Sequence, residues 1–155
     1  MAATSIVLTE LHKKSTSWDK VVDEIVSLEK KIFPEHQSLA RSIDDELKKK
    51  NSGLIYLEIN GDLAGYVMSS LCAIIIELAV KENYRRQGYG DALLKAAMEK
   101  CRSKRIHRVS LHVDPLRTPA MNLYKKLGFQ IDTLVKAYYS SDRDACRMYF
   151  DFDQV

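Results

Sequence analysis

Ile74-Ile-Ile-Glu-Leu-Ala-Val80, a short loop, then Arg85-Arg-Gln-Gly-Tyr-Gly90 running into Asp91-Ala-Leu-Leu-Lys-Ala-Ala-Met98 is the stretch that decides how this chain folds. Dense β-branched residues, a polar loop and then apolar residues at helical spacing predict strand, turn and helix in that order. Gly88 and Gly90 remove side chains where a ligand would approach the backbone. The unbonded N–H groups of the first helical turn, the helix dipole and the cations of Arg85 and Arg86 together favour an anion there. A phosphate-bearing cofactor is the natural occupant.

Upstream of this stretch, residues 5–11 alternate as a first strand. Ser17 is placed to cap a helix whose apolar face is Trp18, Val21, Val22, Ile25, Leu28 and Ile32, and Pro34 ends it. A second, short helix opens at Ser42. Two strands at 54–59 and 63–69 flank Asn60-Gly61, a pair that accepts the positive φ angles of a tight hairpin. Downstream, the helix over 88–102 carries Leu93, Leu94, Ala97, Met98 and Cys101 on one face. A strand at 108–113 follows, then a short helix with Ala120, Leu123, Tyr124 and Leu127 on one face, stopped by Gly128. Strands at 129–135 and 145–152 are joined through the polar stretch that begins Tyr138-Tyr139. The order βααβββαβαββ predicts a mixed α/β domain with a mostly hairpin-connected sheet rather than a doubly wound fold.

The chain's 155 residues, 46% of them hydrophobic, predict a single domain spanning 1–155. Twenty-four basic against 21 acidic residues leave a formal charge of +3, too balanced for a nucleic-acid footprint. The basic run from Lys100 to Arg108 reads as a solvated helix end. No apolar run approaches the roughly 20 residues that span a bilayer, and the start lacks the pattern of a secretory signal. Cytoplasm is expected, with the nucleus open as a second compartment, and no membrane association. Cys72, Cys101 and Cys146 are odd in number, far apart and outside any CxxC or His-rich context, so free thiols and no metal site are expected.

The glycine turn fits neither common phosphate cradle. Gly90 is followed by Asp91-Ala92 instead of the Lys-Ser or Lys-Thr of a Walker loop, and a dinucleotide fingerprint needs a third glycine. What remains, Arg-x-x-Gly-x-Gly with a second Arg and a Gln inside it, resembles the pyrophosphate loop of the GNAT superfamily of acyl-CoA-dependent N-acyltransferases. From about Ile74 to Phe152 the chain is most similar to the protein N-terminal acetyltransferases of that superfamily, including the ribosomal-protein alanine type. The resemblance rests on Leu78-Ala-Val80, Tyr84-Arg-Arg-Gln-Gly-Tyr-Gly90, Leu123-Tyr-Lys-Lys-Leu-Gly-Phe129, and Ala137-Tyr-Tyr139 followed by Asp144-Ala145. The first half matches chiefly through Ile32-Phe-Pro34.

The resemblance implies a GNAT-type fold, its sheet splayed where acetyl-CoA binds, and an enzyme that acetylates a protein or peptide amine, the N-terminal α-amine before lysine. Backbone of Leu78, Ala79 and Val80 would pair with the pantetheine arm, while Arg85, Arg86, Gln87, Gly88, Tyr89, Gly90 and the Asp91 amide would hold the pyrophosphate. Tyr124 would bind the CoA sulfur and protonate the leaving thiolate. His112, twelve positions earlier, stands where the family keeps a base. Arg117 replaces the usual Asn at the start of the helix bearing Tyr124, and reaching a phosphate is one role open to it. Phe33, Pro34, Glu35, Tyr138 and Tyr139 would contact the acceptor peptide. Glu77, a lone acid in an apolar strand, is a third catalytic candidate, holding a water as base or anchoring the acceptor. By residue type alone, His112 and Tyr124 also fit ordinary core positions. A small-amine acetyltransferase and a non-catalytic acyl-CoA-binding module stay open beside the main reading, as does an auxiliary subunit.

Overall fold

Hairpin chemistry and hydrophobic alternation build most of the sheet. The computed structural model describes residues 3–33, 43–70, 73–141 and 143–152. Asn60 and Gly61 take φ values of 50° and 83°, as a tight hairpin turn requires, and reverse β2 (Gly53–Ile59) into β3 (Asp62–Ser70). Outside β2 lies β1 (Ile6–Glu10), and inside β3 lies β4 (Ile74–Val80). A single 3₁₀ turn, Glu82–Tyr84, leads to α3 (Tyr89–Ser103), which crosses to β5 (Arg108–Val113). After α4 (Thr118–Lys126), β6 (Gln130–Ser140) and β7 (Arg143–Asp151) complete a seven-stranded sheet in the order β1-β2-β3-β4-β5-β7-β6. Only β4 and β5 run parallel among these neighbours. The mixed, mostly antiparallel architecture agrees with the order of elements expected from the sequence.

Helices cover both faces. On one, Val21, Val22, Ile25 and Leu28 of α1 (Trp18–Ile32) pack with Leu54, Tyr56, Tyr66 and Met68. The indole N–H of Trp18 reaches Asp44 Oδ1 at 3.3 Å and ties α1 to α2 (Ile43–Lys48). On the other, Leu93, Leu94, Ala97, Met98 and Cys101 of α3 pack with Leu57, Val67 and Leu111, beside Met121 and Tyr124 of α4. Ser17 precedes α1 but does not cap it: its hydroxyl bonds Ser15 Oγ at 2.8 Å, leaving no side-chain cap bond. Phe33 is extended (φ −107°, ψ 140°), as a residue before proline must be. Pro34, Glu35, Ser42 and Cys72 lie outside the described residues; Cys101 and Cys146 are buried thiols, neither in a disulfide among the described residues. The basic run is largely solvated, with Arg108 forking onto Asp151 at 2.6 and 2.9 Å. No helix among the described residues is long and apolar enough to cross a membrane.

The sheet opens between β4 and β5. They share two residue pairs, Ile74↔Ser110 and Ile75↔Leu111, and then part. The cause is visible in the β3–β4 ladder, where Ser69 faces Ile75 but Met68 faces Glu77, so Ile76 is an extra residue that bends β4 away. From Glu77 to Val80 the strand keeps β3 on one side and has no ladder with β5 on the other. Close contact with β3 holds it there: a Cβ on Gly65 would sit 2.5 Å from Ala79 O and 3.1 Å from Leu93 Cδ1. Gly65→Ala must therefore push β4 off β3, at about 1–3 kcal/mol. A fall in Tm of roughly 2–10 °C is expected by circular dichroism, and an unchanged Tm would show that β4 is not held by this approach.

A second irregularity overturns one expectation. Tyr138 and Tyr139, read as part of a polar loop, belong to β6. Between Val135↔Ala145 and Ser140↔Arg143 the register slips, so residues 136–139 stand against Asp144 alone. Ala137 takes φ 55°, and its N–H is held by Asp144 Oδ1 at 2.9 Å. The bulge lifts both tyrosines out of the ladder.

Candidate active site

The opening between β4 and β5 is the floor of a cleft of about 670 Å³. Along one wall runs α4, which sets the cleft's direction. Lys126 at its end is 3.5 Å from Asp91, and Leu123 Cδ2 lies 3.5 Å from where a Gly90 Cβ would be. Arg117, before its first turn, instead lies over the Phe33 ring with Cζ 4.8 Å from the centroid. One end of the cleft is thus the turn before α3, and the other is Phe33, His112 and Tyr139.

At the first end, Gly88 is the N-cap of α3 with φ 87°, a left-handed conformation costly for any residue with a Cβ. Helix geometry leaves the N–H groups of Tyr89, Gly90 and Asp91 without intrahelical partners. Arg85, Arg86, Gly88, Tyr89, Gly90 and Asp91 all line the cleft here. Arg85 Nε donates to Val80 O at 3.0 Å, fixing the turn to the end of β4. The Asp91 carboxylate is held by Lys95 at 2.9 Å. Tyr84 staples the turn from behind, its hydroxyl 2.7 Å from Asp62 and its ring edge-on to Tyr89. Gln87 is not among the lining residues; its amide donates to Asn83 O at 3.4 Å.

Leu78, Ala79 and Val80 line the middle of the cleft along the unpaired edge of β4. Tyr124 faces them from α4, 8% exposed, its ring edge-on to Phe129. Burial, chiefly, pushes its phenol up to about 12, so it keeps its proton at neutral pH. Among the described residues no hydrogen bond holds its hydroxyl.

His112, on β5, stacks against Tyr138 with ring centroids 4.4 Å apart and planes within 6°. Its cross-strand partner is Arg147. Partial burial, then the Arg147 charge, lowers its pKa below the ordinary 6.5, so the ring is neutral at cellular pH. Tyr139 lines the cleft, whereas Tyr138 meets it through its ring contacts with His112 and Tyr139, 4.4 and 4.9 Å between centroids.

Glu77 is part of a network the sequence did not announce. Glu29 of α1 is fully buried, accepts the Tyr66 hydroxyl in a short hydrogen bond and bonds Glu77. Burial, followed by the hydrogen bond and charge of Glu29, pushes the Glu77 carboxyl far above the carboxylate range, while Arg117 pulls weakly the other way. Glu77 therefore holds a proton at neutral pH and is poorly suited to act as a base. Glu29 falls at i+4 from Ile25 and i+7 from Val22, so an acid on the apolar stripe of α1 was the signal that could have found it. Asp114, 4% exposed, bonds the Leu116 N–H at 2.9 Å and pairs with Arg143, a contact no local pattern encodes.

The sequence pattern of the acetyltransferase (GNAT) family matches residues 18–129. An N-alpha-acetyltransferase of Sulfurisphaera tokodaii is 32% identical over 143 residues, covering 82% of this chain and 85% of that protein. The ribosomal-protein-S18-alanine N-acetyltransferase from Escherichia coli shares the fold, with a TM-score of 0.81 at 21% identity over 97% of this chain and 96% of that one. Arabidopsis thaliana Naa50, solved with the bisubstrate analogue CoA-Ac-MVNAL, gives a TM-score of 0.73 at 23% identity over 96% and 99% of the two chains.

Proposed function

The chain belongs to the acetyltransferase (GNAT) family and is an N-acetyltransferase, and from that premise we propose that it carries acetyl from acetyl-CoA to the α-amine of a protein or peptide N-terminus. The observation that carries the reading is the unpaired edge of β4 ending at the turn before α3. An added strand's worth of hydrogen bonds is available along Leu78, Ala79 and Val80, which suits the amides of a pantetheine arm. The N–H groups of the following turn, with Arg86 and Arg85, suit a pyrophosphate. Acetyl-CoA supplies the acetyl thioester; the protein's part is to bind, orient and move protons.

His112 is the base. Neutral at working pH, it takes a proton from the acceptor nitrogen directly or through a water, and the amine titrates near 8, so the task is modest. Tyr124 is the acid: its raised pKa keeps the phenol protonated until a thiolate departs, and its proton completes the free thiol. Tyr138 holds the His112 ring by stacking on it. Phe33 and Tyr139 flank the acceptor, and Glu77, protonated against Glu29, offers hydrogen bonds there without acting as the base. The N-alpha-acetyltransferase named among the relatives favours a protein N-terminus over a free small amine. Buried thiols at Cys101 and Cys146, neither in a disulfide among the described residues, suit the reducing cytosol.

Mass spectrometry of a peptide library and a panel of polyamines and amino acids, incubated with the protein and acetyl-CoA, tests the acceptor class. N-α acetylation of peptides is the expected product. Acetylation confined to lysine side chains or to the small amines would overturn the reading.

A further inference from the structure

We infer that Arg117 is a specificity residue that selects acceptors bearing an acidic side chain within their first two residues, an inference that rests on the peptide-acetylating reading above. Arg117 faces the acceptor end of the cleft. Its guanidinium lies on Phe33 with Cζ 4.8 Å from the ring centroid, and both line the cleft. A guanidinium over a ring face still has N–H groups at its rim for a carboxylate's two oxygens. The phosphate-binding turn is at the other end of α4, whose Leu123 and Lys126 approach Gly90 and Asp91. About 9 Å of helix rise separates Arg117 from Leu123.

The carboxylates nearest Arg117 have partners of their own. Asp114 is taken by Arg143 and the Leu116 N–H. Glu77 bonds Glu29, which also holds the Tyr66 hydroxyl. Among the described residues the Arg117 guanidinium is in no ion pair. The other cations at this end are already paired, Arg143 with Asp114 and Arg147 with Asp132 at 3.7 Å. A lysine or arginine side chain arriving beside Arg117 meets like charge, and a neutral one leaves the partly buried guanidinium with no ion-pair partner beyond the through-space charge of Asp114, which Arg143 already pairs. An aspartate or glutamate supplies one.

The test uses peptides that differ only at residue 1 or 2, carrying Asp or Glu, Asn or Gln, or Lys, assayed with wild type, Arg117→Asn and Arg117→Glu. Wild type is expected to favour the acidic peptides over their amides by about tenfold in kcat/KM, the worth of a charged hydrogen-bonded pair. Arg117→Asn should flatten that preference, and Arg117→Glu should turn it toward Lys. The KM for acetyl-CoA should hold within about twofold in both variants. Equal use of acidic and amide peptides by wild type would overturn the inference alone. So would variants that raise the KM for acetyl-CoA while keeping the preference, because Arg117 would then serve the cofactor. Activity on no peptide would overturn the underlying reading and this inference with it.

Discussion

Tyr124→Phe combined with His112→Ala lowers kcat for peptide acetylation roughly thousandfold, the range for losing a positioned acid and base, and leaves acetyl-CoA binding intact. The two groups have protonation states suited to opposite tasks. Tyr124 is held protonated up to about 12, chiefly by burial, so it reaches the reaction with a proton to give. His112 is pushed below 6.5 by partial burial and Arg147, so it arrives without one. Because imidazolium is disfavoured, the free base persists below the ordinary histidine pKa, and activity falls as pH drops through that lowered value. In kcat/KM against pH, wild type should show an acid limb from His112 below 6.5, separate from the acceptor amine's own titration near 8. His112→Ala should erase that limb, and Arg147→Ala, which removes a repelling cation, should move it upward. Because no hydrogen bond among the described residues depends on the Tyr124 hydroxyl, Tyr124→Phe should fold normally. A double variant that turns over at the wild-type rate, with the acid limb still present, would remove both residues from the mechanism.

Reversing the charge at Arg85 and Arg86 raises the KM for acetyl-CoA about a hundredfold, taking ~1.5 kcal/mol for each charge-assisted hydrogen bond removed, while kcat at saturation changes little. Arg86 is the cleaner of the two. It lines the cleft at φ 62°, a left-handed position that presents its side chain from the turn, whereas Arg85 also fastens the turn to Val80 O. Arg86→Glu alone should therefore lose affinity without loosening the loop, and Arg85→Glu should lose affinity together with some stability. Wild-type affinity should also weaken with salt, because ions screen the attraction between exposed charges. A KM indifferent to Arg86→Glu and to salt would refute the pyrophosphate assignment. Arg117→Glu is the internal contrast, since its side chain lies on Phe33 and is not expected to move this constant.

The elements and the cofactor half of the cleft were legible because their causes are local. Helical spacing marks Leu93, Leu94, Ala97, Met98 and Cys101, and all five are buried. Asn60-Gly61 makes a hairpin because both residues tolerate positive φ, and Gly88 caps α3 for the same reason. The acceptor half was less legible. Tyr138 and Tyr139 lie in β6 because of a register slip against β7 that no alternation pattern foretells. Gln87, inside the motif, turns to Asn83 O and leaves the cleft wall. Glu77 drew notice as a lone acid in an apolar strand, but its protonation depends on Glu29, 48 positions earlier, and on the Tyr66 bond to Glu29.

By itself the sequence determined the strand–turn–helix that presents N–H groups and cations to an anion, since propensity, glycine φ and the helix dipole act within a few residues of one another. Only the tertiary structure decided that β4 parts from β5 after two residue pairs, that Glu77 keeps its proton, and that Arg117 lies on Phe33. Those outcomes depend on burial and on charges brought together from distant positions. Neither burial nor a cross-strand neighbour is a property of a local stretch of chain.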